Sequence, residues 1–409
     1  MFRPLPIIAA LMVCAMNLYG QGGSNYSALG IGDLRTSVGA LYDGLGGTAI
    51  SLPTAYGINV VNPALVGLST TTRLQGGYRF NQHVINSTDG RSLSQNNGEL
   101  DGLMVMFSVD TSYGFGVTFG VLPYSSIAYY VSRNLSTTFD STTVTGKSEQ
   151  RGEGGTSMLH VGSSVRLFNS LHLGVSINAL FGVLTYRDLA YADNAPTRVA
   201  SSQVYDMRGW LFKAGAMWKV APWLNIGAYA ATGPDATLFI TRNAAGVSSS
   251  GISYDTSVVV QEPTGLPLQY GFGLSTPVGR GMLGADVEVL DFTNVEVNQR
   301  PDANYTPGIR FSIGLDQPGR PTGDYINKIG WQTGLSARKL YVTFKDQDLY
   351  EFLGSGGLSL PLGGNAIVDG ALQLGWRGPF DGQSLTEFVG RLTVTVSIGE
   401  TWFKPFARD

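Results

Sequence analysis

The sequence predicts an all-β fold: a transmembrane antiparallel β-barrel of about 14 strands with an N-terminal hatch, or plug, segment. Three observations carry this. Apolar and polar residues alternate with period 2 in stretch after stretch, as in strands with one apolar face. These stretches outrun the about 5–6 residues usual for strands and suit the about 9–11 of a tilted membrane strand. Charged residues make up only 14% of 409 positions, against roughly 25% in an average soluble domain, yet the mean hydropathy is only +0.06. A wall that faces lipid and a polar lumen by turns has that composition. The net charge of −3 gives no basic field for nucleic acid.

Residues 1–20 read as a secretory signal peptide. Arg3 forms the charged start, Ile7 to Met16 the apolar core, and Gly20 precedes Gln21 at the cleavage point. The single cysteine, Cys14, lies in this leader. A lipoprotein role for it is the weaker reading, because Val13 stands where a small residue is expected. No other apolar run reaches the about 18 residues of a membrane helix. An exported chain without such a helix is either soluble outside the inner membrane or a closed barrel; the strand lengths favour the barrel, and with it the cell outer membrane.

Residues 21–69 form the proposed hatch. The stretch 39–69, GALYDGLGGTAISLPTAYGINVVNPALVGLS, is Gly-rich, carries Asp43 as its one charge and holds neither a helical nor a strand period for long. From residue 70 to 409 the chain reads as barrel. Strands are expected near 70–86, 101–111, 113–131, 155–168, 171–187, 206–220, 223–241, 252–261, 267–277, 281–297, 307–316, 325–344, 349–361, 365–377 and 386–403. In LHLGVSINALFGV, for example, Leu171, Leu173, Val175, Ile177, Ala179, Phe181 and Val183 share one face. Bacterial single-chain barrels have even strand numbers, so the fifteen candidates reduce to 14, 252–261 being the weakest. Short turns (109–112, 168–170, 361–364) and longer polar connections (87–100, 187–204, 242–251, 298–306, 317–324) fit the outer-membrane pattern. Tyr129, Tyr130, Trp218, Trp223, Trp376, Trp402 and Phe403 gather at strand ends as interfacial girdles would.

No enzyme constellation stands out. CxxC, HExxH and GxSxG are absent. His83, His160 and His172 read as lumen or interface residues, and Ser157 near His160 is too little for a hydrolase. Asp346, Asp348 and Glu351 could be a calcium site but read better as solvated turn carboxylates. No catalytic residue, metal or cofactor is expected. Two features have a physical claim to function. Asn62, Pro63 and Ala64 sit where the hatch turns into the first strand: Pro fixes φ, Asn turns the chain locally, and Ala permits close approach. A plain turn explains them equally well. In GFGVTFGVLPYSSIAYYV a strong strand meets Pro123, preceded by Gly120. Pro cannot donate to a ladder, so it marks either a kink that parts the wall or a strand end at the membrane rim.

The order SNYSALGIGDL, GLGGTAISLPTAYGINVVNPALVGL, GFGVTFGVLPYSSIAYY, GVSINALFG and KIGWQTGLSARKLYVTF, with GLSLPLGG, LGWRG and VSIGETWF following, resembles the FadL-type outer-membrane transporters of hydrophobic compounds, in a branch like that of Bacteroidetes. The resemblance runs over essentially the whole mature chain. It implies a hatch inside a 14-stranded barrel, with an Asn-Pro-Ala in the hatch contacting a kinked third strand. The matching positions are Asn62, Pro63 and Ala64 on the hatch and Gly120 and Pro123 on the wall. It further implies passive uptake of a hydrophobic small molecule, such as a long-chain fatty acid, with lateral release at that strand and no cofactor. The expected partners are outer-membrane lipid, lipopolysaccharide and that ligand, around a monomer. The alternative is a non-transporting barrel that serves a secretion system as scaffold or carrier partner. A sealed wall at strand three and a hatch packed without a cavity would favour that alternative.

Overall fold

The computed structural model describes residues 22–54, 56–87, 90–139, 142–193, 198–248, 251–297, 302–382 and 384–401. The leader, Trp402 and Phe403 lie outside them. Fourteen antiparallel strands close on themselves. They are β1 (Thr72–Asn86), β2 (Ser92–Asp110), β3 (Phe115–Phe139), β4 (Thr142–Leu167), β5 (Leu171–Ala192), β6 (Arg198–Ala221), β7 (Leu224–Thr232 and Ala236–Ser248), β8 (Gly251–Thr264 and Leu268–Val278), β9 (Gly281–Asp291), β10 (Ala303–Tyr305 and Gly308–Gln317), β11 (Gly330–Phe344), β12 (Gln347–Gly363), β13 (Ala366–Gly378) and β14 (Thr386–Glu400). The ring closes where β14 pairs with β1 along its whole length, from Thr386↔Asn86 to Glu400↔Thr72.

The alternation of the sequence becomes inside and outside. On β5, Leu173, Val175, Ile177, Phe181 and Val183 are exposed, while His172, Ser176 and Asn178 are buried. Beyond Val183 the outward row turns polar at Thr185 and Arg187. That change marks the edge of the hydrocarbon, about 10 residues of tilted strand from Leu173. Trp218 and Trp223 are exposed at the opposite, short-turn end, where an aromatic girdle belongs. Tyr129, by contrast, is buried on the lumen side.

The wall has two heights. β3, β4, β5 and β6 hold 25, 26, 22 and 24 residues, whereas β9 and β13 hold 11 and 13. Stretches 87–100, 187–204 and 242–251, expected as long connections, are largely strand: β2 starts at Ser92, β6 at Arg198, and β7 runs to Ser248. The alternation misses them for a physical reason. Above the bilayer both faces of the sheet meet water, so period 2 disappears while Thr, Val and Tyr keep their strand propensity. The stretch 252–261 is strand as well. It forms the outer half of β8, interrupted at Gly265, Leu266 and Pro267 before the wall half resumes. Two of the fifteen candidates are therefore one strand, which is why the count of 14 stands.

Candidate functional site

Residues 22–71 run inside the ring of strands. They form a 3-10 turn (Asn25–Ala28), a two-residue extended pair (Asp33–Leu34), a short helix α1 (Ala40–Gly44) and a second 3-10 turn (Pro63–Leu68). Leu45, Ile50, Leu52, Ile58, Asn62 and Ala64 are fully buried. The segment fits because the lumen face offers glycines where its backbone comes closest. A Cβ at Gly314 or Gly334 would overlap the Leu45 backbone, and one at Gly227 would overlap Ile50. At Gly46 and Gly47 the φ values of 65° and 83° let the chain double back along β11 and β10.

The polar groups of this segment are bonded to the wall. Asp43, the one charge noted in 39–69, accepts from Arg79 Nη2 at 2.6 and 2.5 Å, Ser37 Oγ at 2.6 Å and Thr393 Oγ1 at 2.6 Å. Asp286 of β9 accepts the backbone N–H groups of Ala49 (2.6 Å) and Ile50 (2.9 Å). Asp101 of β2 accepts from Gly39 N at 2.6 Å, and Lys213 of β6 donates to Val60 O at 3.3 Å.

Asn62, Pro63 and Ala64 dock on β5 and β6. The Asn62 amide donates to Ile50 O (2.7 Å) and to Ala216 O (3.0 Å), and its oxygen accepts from Ala64 N (3.1 Å). Gly174 and Gly215 make the room: a Cβ at either would overlap the motif. The expected meeting with Gly120 and Pro123 is absent. Gly174 shares its strand register with Ser164 and, through it, with Gly116, so the motif lies two strands over from β3 and nearer the short-turn end than Pro123. The turn that follows the motif does reach β3, where Val66 lies against Gly116.

Gly120 is an ordinary ladder residue, paired with Met104 on one side and His160 on the other. Pro123 does mark a break, but on one side only. The β3–β4 ladder passes through Pro123↔Ser157 with a bulge before Ser125. The β2–β3 ladder stops at Leu103↔Val121. There β2 turns away at Gly102, whose φ of 107° favours glycine, and a slot opens in the wall.

Residues 22–35 fill that slot. Leu34 and Asp33 pair with Ser125 and Ser126, and Arg35 N donates to Tyr124 O at 2.9 Å. Further up, Gly23 N donates to Ala128 O at 2.7 Å, Ala128 N donates to Ser27 Oγ at 3.2 Å, and Gln95 of β2 donates to Tyr130 O at 2.8 Å. Backbone groups at membrane depth need such partners.

Two ion-pair sets hold the filler in place. Arg35 reaches Glu99 (2.8 Å) and Asp101 (3.0 Å) of β2. Asp33 takes Arg377 Nη1 of β13 at 2.7 Å. Arg377 is fully buried and also bonds Glu351 (2.5 Å) and Ser24 Oγ (2.7 Å). Arg338 and Arg391 complete the shell around Glu351 at 2.9 and 2.8 Å. Glu351 is thus a lumen carboxylate among three arginines, not a turn ligand, and no cluster of metal-binding side chains occurs among the described residues. Burial would raise the Asp33 carboxyl, but Arg377, with His83 and Arg391 behind it, holds it below the usual range.

The three histidines are lumen residues. His83 Nδ1 lies 3.2 Å from Glu387, and His160 bridges Thr118 (2.9 Å) and Asn178 (2.7 Å). His172 is buried on the same face. Sequence reasoning placed residues 22–35 in the hatch but did not single them out as the filler of the slot, nor the arginines that anchor them. The available signal was the set of charges at inward strand positions, Arg79, Glu288, Arg310, Glu351 and Arg377, in a chain so poor in charge.

Two small, partly open volumes lie between this segment and the wall. One of about 40 Å³ lies beside Asp33 and Arg35, and another of about 70 Å³ beneath Pro123, between Val60, His160, Lys213 and Gln269. The outer part of the lumen is packed by Tyr124, Tyr186, Tyr205, Tyr341, Leu238 and the inserted Phe292, Val295 and Val297.

A family model described as BamG matches residues 1–406. No curated protein matches the sequence. Solved structures share the fold. The toluene transporter TodX of P. putida aligns with a TM-score of 0.60 at 14% identity, over 90% of this chain and 99% of that one. A Pseudomonas aeruginosa FadL homologue aligns with a TM-score of 0.60 at 12% identity, over 91% and 100%. The Ralstonia pickettii toluene transporter TbuX gives 0.60 at 15%, over 88% and 98%. At these identities the likeness is one of fold: the same closed antiparallel barrel.

Proposed function

The chain belongs to the BamG family, and from that premise we propose that it is a plugged outer-membrane barrel that acts as a scaffold or carrier partner rather than as an open conduit. One observation carries the reading: lumen and wall slot are both filled by bonded protein. An apolar cavity of about 150 Å³ is what a benzene-sized guest occupies, and the volumes of about 40 and 70 Å³ fall short of it. Asp33, Arg35 and Arg79 line the first, which suits water better than hydrocarbon; the second mixes Lys213, His160 and Glu288 with Val60, Leu122, Met158 and Leu211.

The second reading is passive uptake of a hydrophobic small molecule, a fatty acid among them, with release through the wall. The slot between β2 and β3 favours it, since its filler is held there without covalent bonds. In this reading residues 22–35 would have to leave the slot, and the exit would lie beside Pro123. Asn62, Pro63 and Ala64 would then anchor the part of the plug that stays.

Uptake of radiolabelled toluene and oleate by cells with and without the protein separates the two. The scaffold reading expects equal uptake; a several-fold rise with the protein present would overturn it.

A further inference from the structure

Above the level where the outward apolar row ends, β3 to β8 continue as a sheet with water on both faces. Its margin at β8 is open. Residues Gly251–Thr264 pair with β7 on one side, while β9 pairs with β8 only over Leu268–Val278. Among the described residues no strand joins the other side of this outer half. Burial no longer alternates there: Asp255, Thr256, Ser257, Val258 and Val259 are all exposed, Val259 at 70%. The lower end is closed off by Pro263 and by the bond from Glu296 N to Thr264 Oγ1 at 2.9 Å. Between them lies a row of backbone donors and acceptors next to β-branched side chains, a template for one more strand. Asp255 and Glu262 are the only charged residues of 251–264.

We propose that the edge of β8 from Asp255 to Glu262 is a docking site for an extended segment of a partner protein, added antiparallel and carrying basic residues opposite Asp255 and Glu262. β8 runs toward the membrane, so the incoming segment runs away from it. It lies above the short wall of β9 to β14. A second copy of this chain fits less well. Two upright copies related by an axis along the membrane normal present their β8 edges parallel to each other. The antiparallel alternative is the neighbour's β3, whose barrel would stand where this chain's own β9 to β14 wall stands. The site deepens the scaffold reading and rests on it.

The test uses the full chain in detergent and a fluorescein-labelled peptide, KVTVTVTK, whose two lysines stand seven residues apart as Asp255 and Glu262 do, followed by anisotropy. Saturable binding is expected. It should weaken about ten-fold, the worth of a few cross-strand pairs, for the Asp255→Lys/Glu262→Lys variant and for a peptide N-methylated at alternate residues along its pairing edge. The variant should in turn prefer EVTVTVTE. The N-methylated peptide needs no altered protein, so a folding defect in the variant leaves the test intact. Absence of saturable binding overturns the proposal, as does equal binding of the methylated peptide. An oligomer of the protein alone that the peptide disperses would assign the edge to a second copy and also overturn it. Raised hydrocarbon uptake by cells would sink the scaffold reading while leaving the peptide result as measured.

Discussion

Two strand edges in this molecule meet opposite fates. The edge of β3 just above Val121 is covered by the chain's own residues 23–35, bond by bond. The outer edge of β8, from Asp255 to Glu262, is covered by nothing among the described residues. The difference is one of solvent. The β3 edge leaves its partner close to membrane depth, where an unpaired N–H or C=O costs several kcal/mol. The β8 edge stands in water, which can satisfy it until another strand arrives. The comparison suggests that the slot is filled for stability and that the outer edge is left open for association.

Removing the filler should produce the largest effect. Deleting residues 22–35 is expected to give stepwise conductance in planar bilayers where the intact chain gives none, because slot and lumen lose their cover together. Unchanged conductance would mean that residues 36–71 occlude the barrel alone. Next comes Arg377→Ala. It removes the ion pair of partly buried Asp33 and one of the three arginines around buried Glu351, which keeps Arg338 and Arg391; losing one partner of a buried pair costs up to about 3–5 kcal/mol. Unfolding in detergent should show a loss of that order, and a loss under 1 kcal/mol would mean the arginine shell is slack. Asn62→Ala is smaller, about 1–3 kcal/mol, since it leaves the Ile50 and Ala216 carbonyls without their amide donor. Faster proteolysis within 44–66 should accompany it.

The pH effect should be the mildest. Asp33 titrates below its unfolded value, so its contribution is present above the ordinary carboxylate range and fades as pH falls through its folded value. Exchange of the Arg35 and Ala128 amides, which bond across the slot, should therefore stay slow down to about pH 4 and quicken only below it. Quickening already near neutral pH would remove Asp33 from the account.

The barrel was legible because lipid on one side and a polar lumen on the other write themselves into the chain as period 2, as on Leu173 to Val183. The outer halves of β2, β6 and β7 were not, because water on both faces erases that period. For the site, the sequence expected Asn62, Pro63 and Ala64 to meet Gly120 and Pro123, and the structure places the two sets apart. Pro123 does stand at the end of a ladder, and Asn62 does bind the wall, but the motif rests on Gly174 and Gly215, two strands away. Nothing in local sequence says which inward glycine receives which turn; that choice is made by the register of strands far apart in the chain. Arg35 and Asp33 escaped notice for a similar reason, since their partners Asp101 and Arg377 lie 66 and 344 residues away.

That separation has a consequence for how the molecule is made. Ser24 bonds Glu387 across 363 residues, and Asp43 bonds Thr393 across 350. The first segment to emerge is therefore among the last to be secured, and it must already lie within the curling sheet when β14 reaches β1. Contacts this remote make closure slow. Until then the Gly-rich segment waits unfastened beside an open seam, a stage at which an assembling chain has most need of a helper.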